Sequence, residues 1–263
     1  MKVGYMLMGQ PKDAEGKPVN WREYLKYLKS RGLEGVDLFA RQLEGLGCSV
    51  KEASSVLDDL GLLPAVYCVG TDLVSPDPQT RKASLDTVRG GIDACHELGI
   101  NHLFSHGGQH NNSGEEALKR YIEGLSKAVE MAADAGMVLS IENAGKMCHT
   151  DEELERVVDA VSMENFKITI DPGNLVLAGC DPHVATKRLA SKIVHVHVKN
   201  FVAAPENKPR PFRYCPAGEG IVDYRVVADI LKEVSYEGYL SFEPEGGADA
   251  PAEAGMKLLT QLI

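Results

Sequence analysis

VLSIENAGKMCHTDEELERVVDAVSMENFKITIDPGN, residues 138–174, reads as a strand, a helix and a second strand. VLSIEN and KITID are short apolar runs of strand length, and DEELERVVDAV between them repeats its apolar residues at helical spacing. Thr150 or Asp151 stands where a helix needs a side chain to accept from its first free N–H groups. A strand, a helix and a strand in succession imply two parallel strands joined by a right-handed crossover. Both runs also close on ionisable residues, Glu142 and Asp171.

The same rhythm extends in both directions. Strand candidates are VGYMLM (3–8), GVDLF (35–39), PAVYCV (64–69), HLFSH (102–106), VLSIEN (138–143), KITID (167–171), IVHVHVK (193–199) and YLSFE (239–243). Helical stretches such as WREYLKYLKSRG, VKEASSVLDDLG and DYRVVADILKEV separate them, and several stop at a glycine (Gly32, Gly61, Gly99, Gly136). Eight strand–helix units over residues 1–263 predict an α/β fold, a single (β/α)8 TIM barrel in one domain. A doubly wound open sheet would announce itself with a glycine-rich first turn. The first turn here is MLMGQPKD, without that pattern. One irregular segment, 200–220, is rich in proline and basic residues and reads as a functional loop or lid.

Composition narrows the partners. With 28 Lys and Arg against 38 Asp and Glu, the formal net charge is −10, which argues against nucleic acid. Six cysteines are widely spaced with no CxxC pair, so they read as reduced thiols and the expected location is cytoplasmic. No apolar run is long enough to span a bilayer, so no membrane partner is expected.

Four strands in succession end on chemistry: Glu142, Asp171, His197 and Glu243. In a parallel barrel those ends meet at one mouth. Three carboxylates and an imidazole suit one divalent ion, Mn2+, Mg2+, Co2+ or Zn2+. Each residue alone could be a buried polar group held by a structural ion pair, but four at equivalent strand ends point to a shared site. In HVHVK the alternation puts His195, His197 and Lys199 on one face. His197 is nearest the strand end and is the expected ligand. His195 lies deeper, as a support or substrate contact or as a core histidine, and Lys199 is placed to meet an anionic oxygen. HGGQHNN (106–112) places His106 and Gln109 near the same mouth, as substrate contacts or as a turning loop. Cys68 and Trp21 line the pocket or serve in packing.

The segments SIEN, TIDPGN, VHVHVKN, PAGEG and SFEPEG resemble, as an ordered set, the sugar-phosphate isomerase/epimerase superfamily of xylose isomerase-like barrels. Within it the chain is similar to hydroxypyruvate isomerases and ketose 3-epimerases. The resemblance implies one metal on Glu142, Asp171, His197 and Glu243, with Glu142 and Glu243 doubling as the acid/base pair. It implies a metal-dependent enzyme that isomerises or epimerises a small carbohydrate, a ketose or related hydroxy-carbonyl sugar, through an enediolate. The alternative is a dehydratase or lyase on a keto-inositol or keto-glycoside. An apurinic-site endonuclease and a non-catalytic sugar-binding barrel are lesser readings. Asn174 stands where the superfamily often has histidine, and Arg210 or Arg213 would replace its substrate-contacting arginine after the seventh strand. Barrels of this kind are often homo-oligomers, which stays an open expectation.

Overall fold

Residues 1–13, 16–106, 112–206, 208, 210–244 and 252–263 are described by a computed structural model. Eight parallel strands close into a barrel: β1 (Lys2–Met6), β2 (Gly35–Phe39), β3 (Leu63–Val69), β4 (His102–Ser105), β5 (Val138–Glu142), β6 (Phe166–Ile170), β7 (Ile193–Val198) and β10 (Tyr239–Phe242). β10 closes the ring between β7 and β1. β8 (Asn200–Ala203) and β9 (Phe212–Cys215) form a separate antiparallel pair after the seventh stave. The expected barrel is therefore present, and the segment read as an irregular loop contains a hairpin. The prolines and charged residues that crowd the segment between its two strands hide the pairing.

The helices follow from their ends and their apolar stripes. In α6 (Asp151–Val161), Thr150 accepts from the Glu153 N–H and Glu153 accepts from the Thr150 N–H, so Thr150 rather than Asp151 is the cap. Leu154, Val157, Val158 and Val161 form its buried face. α9 (Tyr224–Glu233) is capped by Asp223 and buries Tyr224, Val227, Ala228, Ile230 and Leu231. Most of the core lies between these helices and the outward side chains of the barrel strands.

Inward residues fill the lumen, and they are unevenly divided. Met6, Val66, Cys68 and Phe104, with Phe39 against them, make a small apolar cluster on one side. On the other side, His102 Nε2 meets Ser140 Oγ at 2.8 Å, and Ser140 Oγ meets Thr169 Oγ1 at 2.7 Å. Burial, helped by the neighbouring His195, pushes the His102 imidazole down to a pKa of about 3, so it stays neutral.

The hairpin is fastened to the barrel through Asn200. Its amide donates to the Ala217 carbonyl (2.7 Å) and the Val222 carbonyl (2.9 Å). Its oxygen accepts from the N–H groups of Phe201 (2.9 Å) and Val222 (3.0 Å). Gly220, in PAGEG, passes so close that a Cβ there would stand 2.1 Å from Asn200 Oδ1 and 2.7 Å from the Phe201 carbonyl. Asn200→Ala would strip four buried backbone groups of their partners, at about 1–3 kcal/mol for each group left unsatisfied. The expected loss is about 3 kcal/mol or more, read from the denaturant midpoint at constant m-value. A loss below about 1 kcal/mol would show that the hairpin is held elsewhere.

Candidate metal and acid/base site

Each predicted ligand reaches the mouth from the C-terminal end of its own stave. Glu142 is the last residue of β5, Asp171 follows β6, His197 is the next-to-last residue of β7, and Glu243 follows β10. Those staves are consecutive around the barrel, in the order β5, β6, β7, β10. One ligand atom from each of the four lies within 4.8 Å of all the others. His197 Nδ1 is 2.6 Å from Glu142 Oε1 and 3.3 Å from Glu243 Oε2.

Asp171 owes its pose to its neighbours in sequence. It is the cap of a short helix, α7 (Pro172–Leu177), and its Oδ1 accepts from the N–H groups of Gly173 (2.8 Å) and Asn174 (3.1 Å). Pro172 suits the first position of that helix because it has no N–H to satisfy. Gly173 is required there, since a Cβ would stand 2.7 Å from the Lys199 carbonyl. Asn143, the last residue of SIEN, donates to the Asp171 carbonyl (2.8 Å) and accepts from its N–H (2.7 Å), which locks the ends of β5 and β6 together.

Lys199 runs into the same site. Its Nζ is 3.0 Å from Asp171 Oδ2 and 3.2 Å from Glu243 Oε1, so it touches two of the four predicted ligands. The Tyr224 hydroxyl donates to the Lys199 carbonyl (2.6 Å) and accepts from its N–H (3.1 Å), which fixes the stem of the lysine from α9.

The electrostatics are those of a concentrated anionic site. Burial pushes the Asp171 carboxyl up to a pKa of about 7, against the pull of Lys199. Burial also works against ionised Glu142, but the charge of His197 and hydrogen bonds from His106 and His197 outweigh it and hold that carboxyl well below its usual range. Burial opposes charge on His197 too, and Glu142, Asp37 and Glu243 overcome it and raise that imidazole well above its usual value.

The donor set fits a divalent ion. Asp171 Oδ2, Glu243 Oε2 and His197 Nε2 are buried without a hydrogen bond; the two oxygens have ion-pair contacts instead, to Lys199 and to His197 Nδ1. Hard oxygen donors with one imidazole suit Mn2+, Mg2+, Co2+ or Zn2+.

The other predicted site residues divide. His106 is brought in, with Nδ1 3.7 Å from Glu142 Oε2 and its ring edge-on to Phe104. His195 does not reach the mouth. It is buried, and its Nε2 meets Asp37 Oδ2 at 2.9 Å. Asn174 contributes its backbone N–H to Asp171 from α7. Arg210 and Arg213 are exposed on the hairpin, and among the described residues no ion pair joins either to the four predicted ligands. Gln109 falls outside the described residues. Cys68 is in the lumen cluster, where burial pushes its thiol up, and Trp21 packs on the buried face of α1 (Trp21–Ser30). Four contributors were not foreseen: Asp37, Asn143, Tyr224 and Phe104, whose ring edge meets His197 at 5.4 Å.

The structure is thus a closed eight-stranded barrel with acidic residues and a histidine pooled at the carboxyl ends of four adjacent strands. The chain belongs to the xylose isomerase-like TIM barrel family, whose pattern it matches over residues 25–262. It is 28% identical over 186 residues to the uncharacterized protein MJ1311 of Methanocaldococcus jannaschii, a match covering 67% of this chain and 61% of that one. An inosose dehydratase of Geobacillus thermodenitrificans is 28% identical over 144 residues, 50% of this chain and 48% of the relative. The match thus spans about half the length of that dehydratase. L-ribulose-5-phosphate 3-epimerase UlaE of Shigella flexneri is 25% identical over 232 residues, 83% of this chain and 80% of that one. Among solved structures, the 3-keto-D-glucoside 4-epimerase YcjR from E. coli superposes with a TM-score of 0.76 at 20% identity, covering 100% of this chain and 98% of the other. The IOLI protein with a bound zinc atom superposes with a TM-score of 0.78 at 15% identity, covering 100% and 96%. Among the described residues, no helix is long and apolar enough to cross a membrane.

Proposed function

We propose that Glu142, Asp171, His197 and Glu243 hold one divalent ion and that the protein isomerises or epimerises a small ketose or related hydroxy-carbonyl sugar. The observation that carries this reading is the convergence of two glutamates from non-neighbouring staves on one imidazole, at 2.6 and 3.3 Å. When bound, the ion supplies Lewis-acid polarisation of the substrate's carbonyl oxygen. The proton chemistry falls to the glutamates. Glu243 is the more accessible, its side chain 13% exposed against 4% for Glu142, and one of its oxygens takes no hydrogen bond. It removes the proton from the carbon beside the carbonyl. Glu142, braced by His197 and His106, stands on the other flank and returns a proton there or to the neighbouring oxygen. Phe104 and Phe39 keep that flank apolar, which sharpens every charge interaction within it. The chemistry is tested by solvent deuterium incorporation into ketoses, their phosphates and keto-inositols with added Mn2+ or Co2+. No incorporation into any of them would overturn the reading.

Lys199 favours a second reading. A buried ammonium 3.2 Å from Glu243 can protonate a departing hydroxyl, which β-elimination needs and epimerisation does not. If the protein is a dehydratase, Lys199→Met is expected to slow product formation about 100-fold or more while deuterium exchange at the α-carbon persists. If it is an epimerase, exchange and turnover fall together. The six cysteines are all free thiols, which supports a reducing, cytoplasmic setting.

A further inference from the structure

We propose that Asp37 is a positioning residue for the metal site: its charge faces Nε2 of His197, favours the proton there and thereby leaves Nδ1 as the nitrogen offered to the ion. This rests on the reading of the four strand-end residues as ligands of a divalent ion. Asp37 lies mid-strand in β2 and is completely buried. It faces the lumen, where its Oδ1 accepts from Ser241 Oγ at 3.0 Å. Its Oδ2 stands 2.9 Å from His195 Nε2 and 3.5 Å from His197 Nε2. An ionised carboxylate only accepts hydrogen bonds, so His195 Nε2 presents its N–H to it; His197 Nε2 makes no hydrogen bond, and the Asp37 charge 3.5 Å away favours a proton on that nitrogen. Nδ1 is the nitrogen that faces Glu142 and Glu243; it would give up to an incoming ion the proton it shares with Glu142 here, while Nε2 keeps its own. A carboxylate, an imidazole and a metal in line is the arrangement that fixes the tautomer and orientation of a histidine ligand.

The pose of Asp37 is itself determined. Ser241 belongs to β10, the stave between β7 and β1, and its backbone is in register with His197. His195, two residues before His197, shares the same carboxylate oxygen and turns its ring nearly perpendicular to that of His197, with centroids 5.2 Å apart. The burial of a carboxylate is costly unless its lone pairs are taken up, and here the Ser241 hydroxyl and the His195 imidazole take them up, with the His197 ring edge 3.5 Å away. No lysine or arginine forms an ion pair with Asp37 among the described residues. The alternative use of the same atoms is as ligands of a second ion, since Asp37, His195 and His197 are also close enough to hold one.

Two measurements on the full chain separate these cases. Two-bond 1H–15N correlation spectra of the histidine rings in the Zn2+-loaded wild type should show His197 protonated at Nε2 and Zn2+-bound through Nδ1. Protonation at Nδ1 would overturn the proposal without any variant. Mn2+ titration should show one ion per chain in the wild type and in Asp37→Asn, with Asp37→Asn binding about 10- to 100-fold more weakly. A folded Asp37→Asn with wild-type Mn2+ affinity would overturn the proposal, because a merely structural role would lower stability and leave affinity alone. A stoichiometry of two that falls to one in Asp37→Asn would also overturn it, making Asp37 a ligand. Wild type that binds no Mn2+ or Zn2+ at all would instead overturn the metal reading itself.

Discussion

Glu243→Gln is expected to slow exchange of the substrate's α-proton with solvent by about 10³-fold, roughly 4 kcal/mol in the barrier. The amide has nearly the volume and shape of the carboxylate, so packing at the end of β10 changes little, but it cannot take up a proton. The expected signature is a fall in kcat with little change in KM, since the proton is in motion only at the transition state. Glu142→Gln should lose as much exchange and should also weaken metal binding more. Glu142 makes the closest approach to His197 Nδ1, 2.6 Å against 3.3 Å for Glu243. Comparing Mn2+ affinities of the two variants therefore separates a lost base from a lost ligand. If exchange in folded, Mn2+-loaded Glu243→Gln stays near the wild-type rate, Glu243 is not the base.

Much of this site could be read before any coordinates, for a physical reason. Charged residues seldom close buried apolar runs, so Glu142, Asp171, His197 and Glu243 stood out at the ends of VLSIE, KITID, IVHVHV and YLSFE. The strand runs were legible because a barrel stave buried on both faces is almost continuously apolar, and the observed strands begin and end within two residues of them. Asp37 was illegible because it sits inside GVDLF rather than at its end. A single polar residue mid-strand is ordinarily the solvent side of an alternating pattern, and only closure of the barrel turns it toward His195 and His197. Asn143 and Tyr224 act on backbone groups of distant residues, Asp171 and Lys199, and no spacing records such pairings. The short helix that begins within DPGN was not read from the sequence; it forms because Asp171 is drawn into the site by one oxygen and into the helix cap by the other. Arg210 and Arg213 were assigned to substrate by the resemblance, as replacements for its arginine after the seventh strand, and the register that pairs Val202 with Arg213 leaves Arg213 exposed.

Adding a divalent ion to chelator-treated protein should raise its thermal midpoint by about 5–10 °C, and a chelator should reverse the rise. Three carboxylates, from Glu142, Asp171 and Glu243, meet at this mouth with Lys199 as the cation seen between two of them. Like charges at such range oppose one another, and burial removes the water that would screen them. That cost is sustained by the rest of the fold, and it is relieved by an ion that binds the native protein and not the unfolded chain. At a free ion concentration about 100 times Kd the added stability is about 2.7 kcal/mol. For a chain of this size each kcal/mol moves the midpoint by about 2–4 °C, which gives the stated rise. Asp171→Ala should abolish the shift, because it removes a ligand while leaving α7 without its cap, a loss of about 1 kcal/mol that both metal-free and metal-treated samples share. Arg213→Ala, on the exposed hairpin, should keep the full shift. A wild-type midpoint that ignores Mn2+, Co2+ and Zn2+ alike would leave the four strand ends as a structural ion-pair network built around Lys199 and His197.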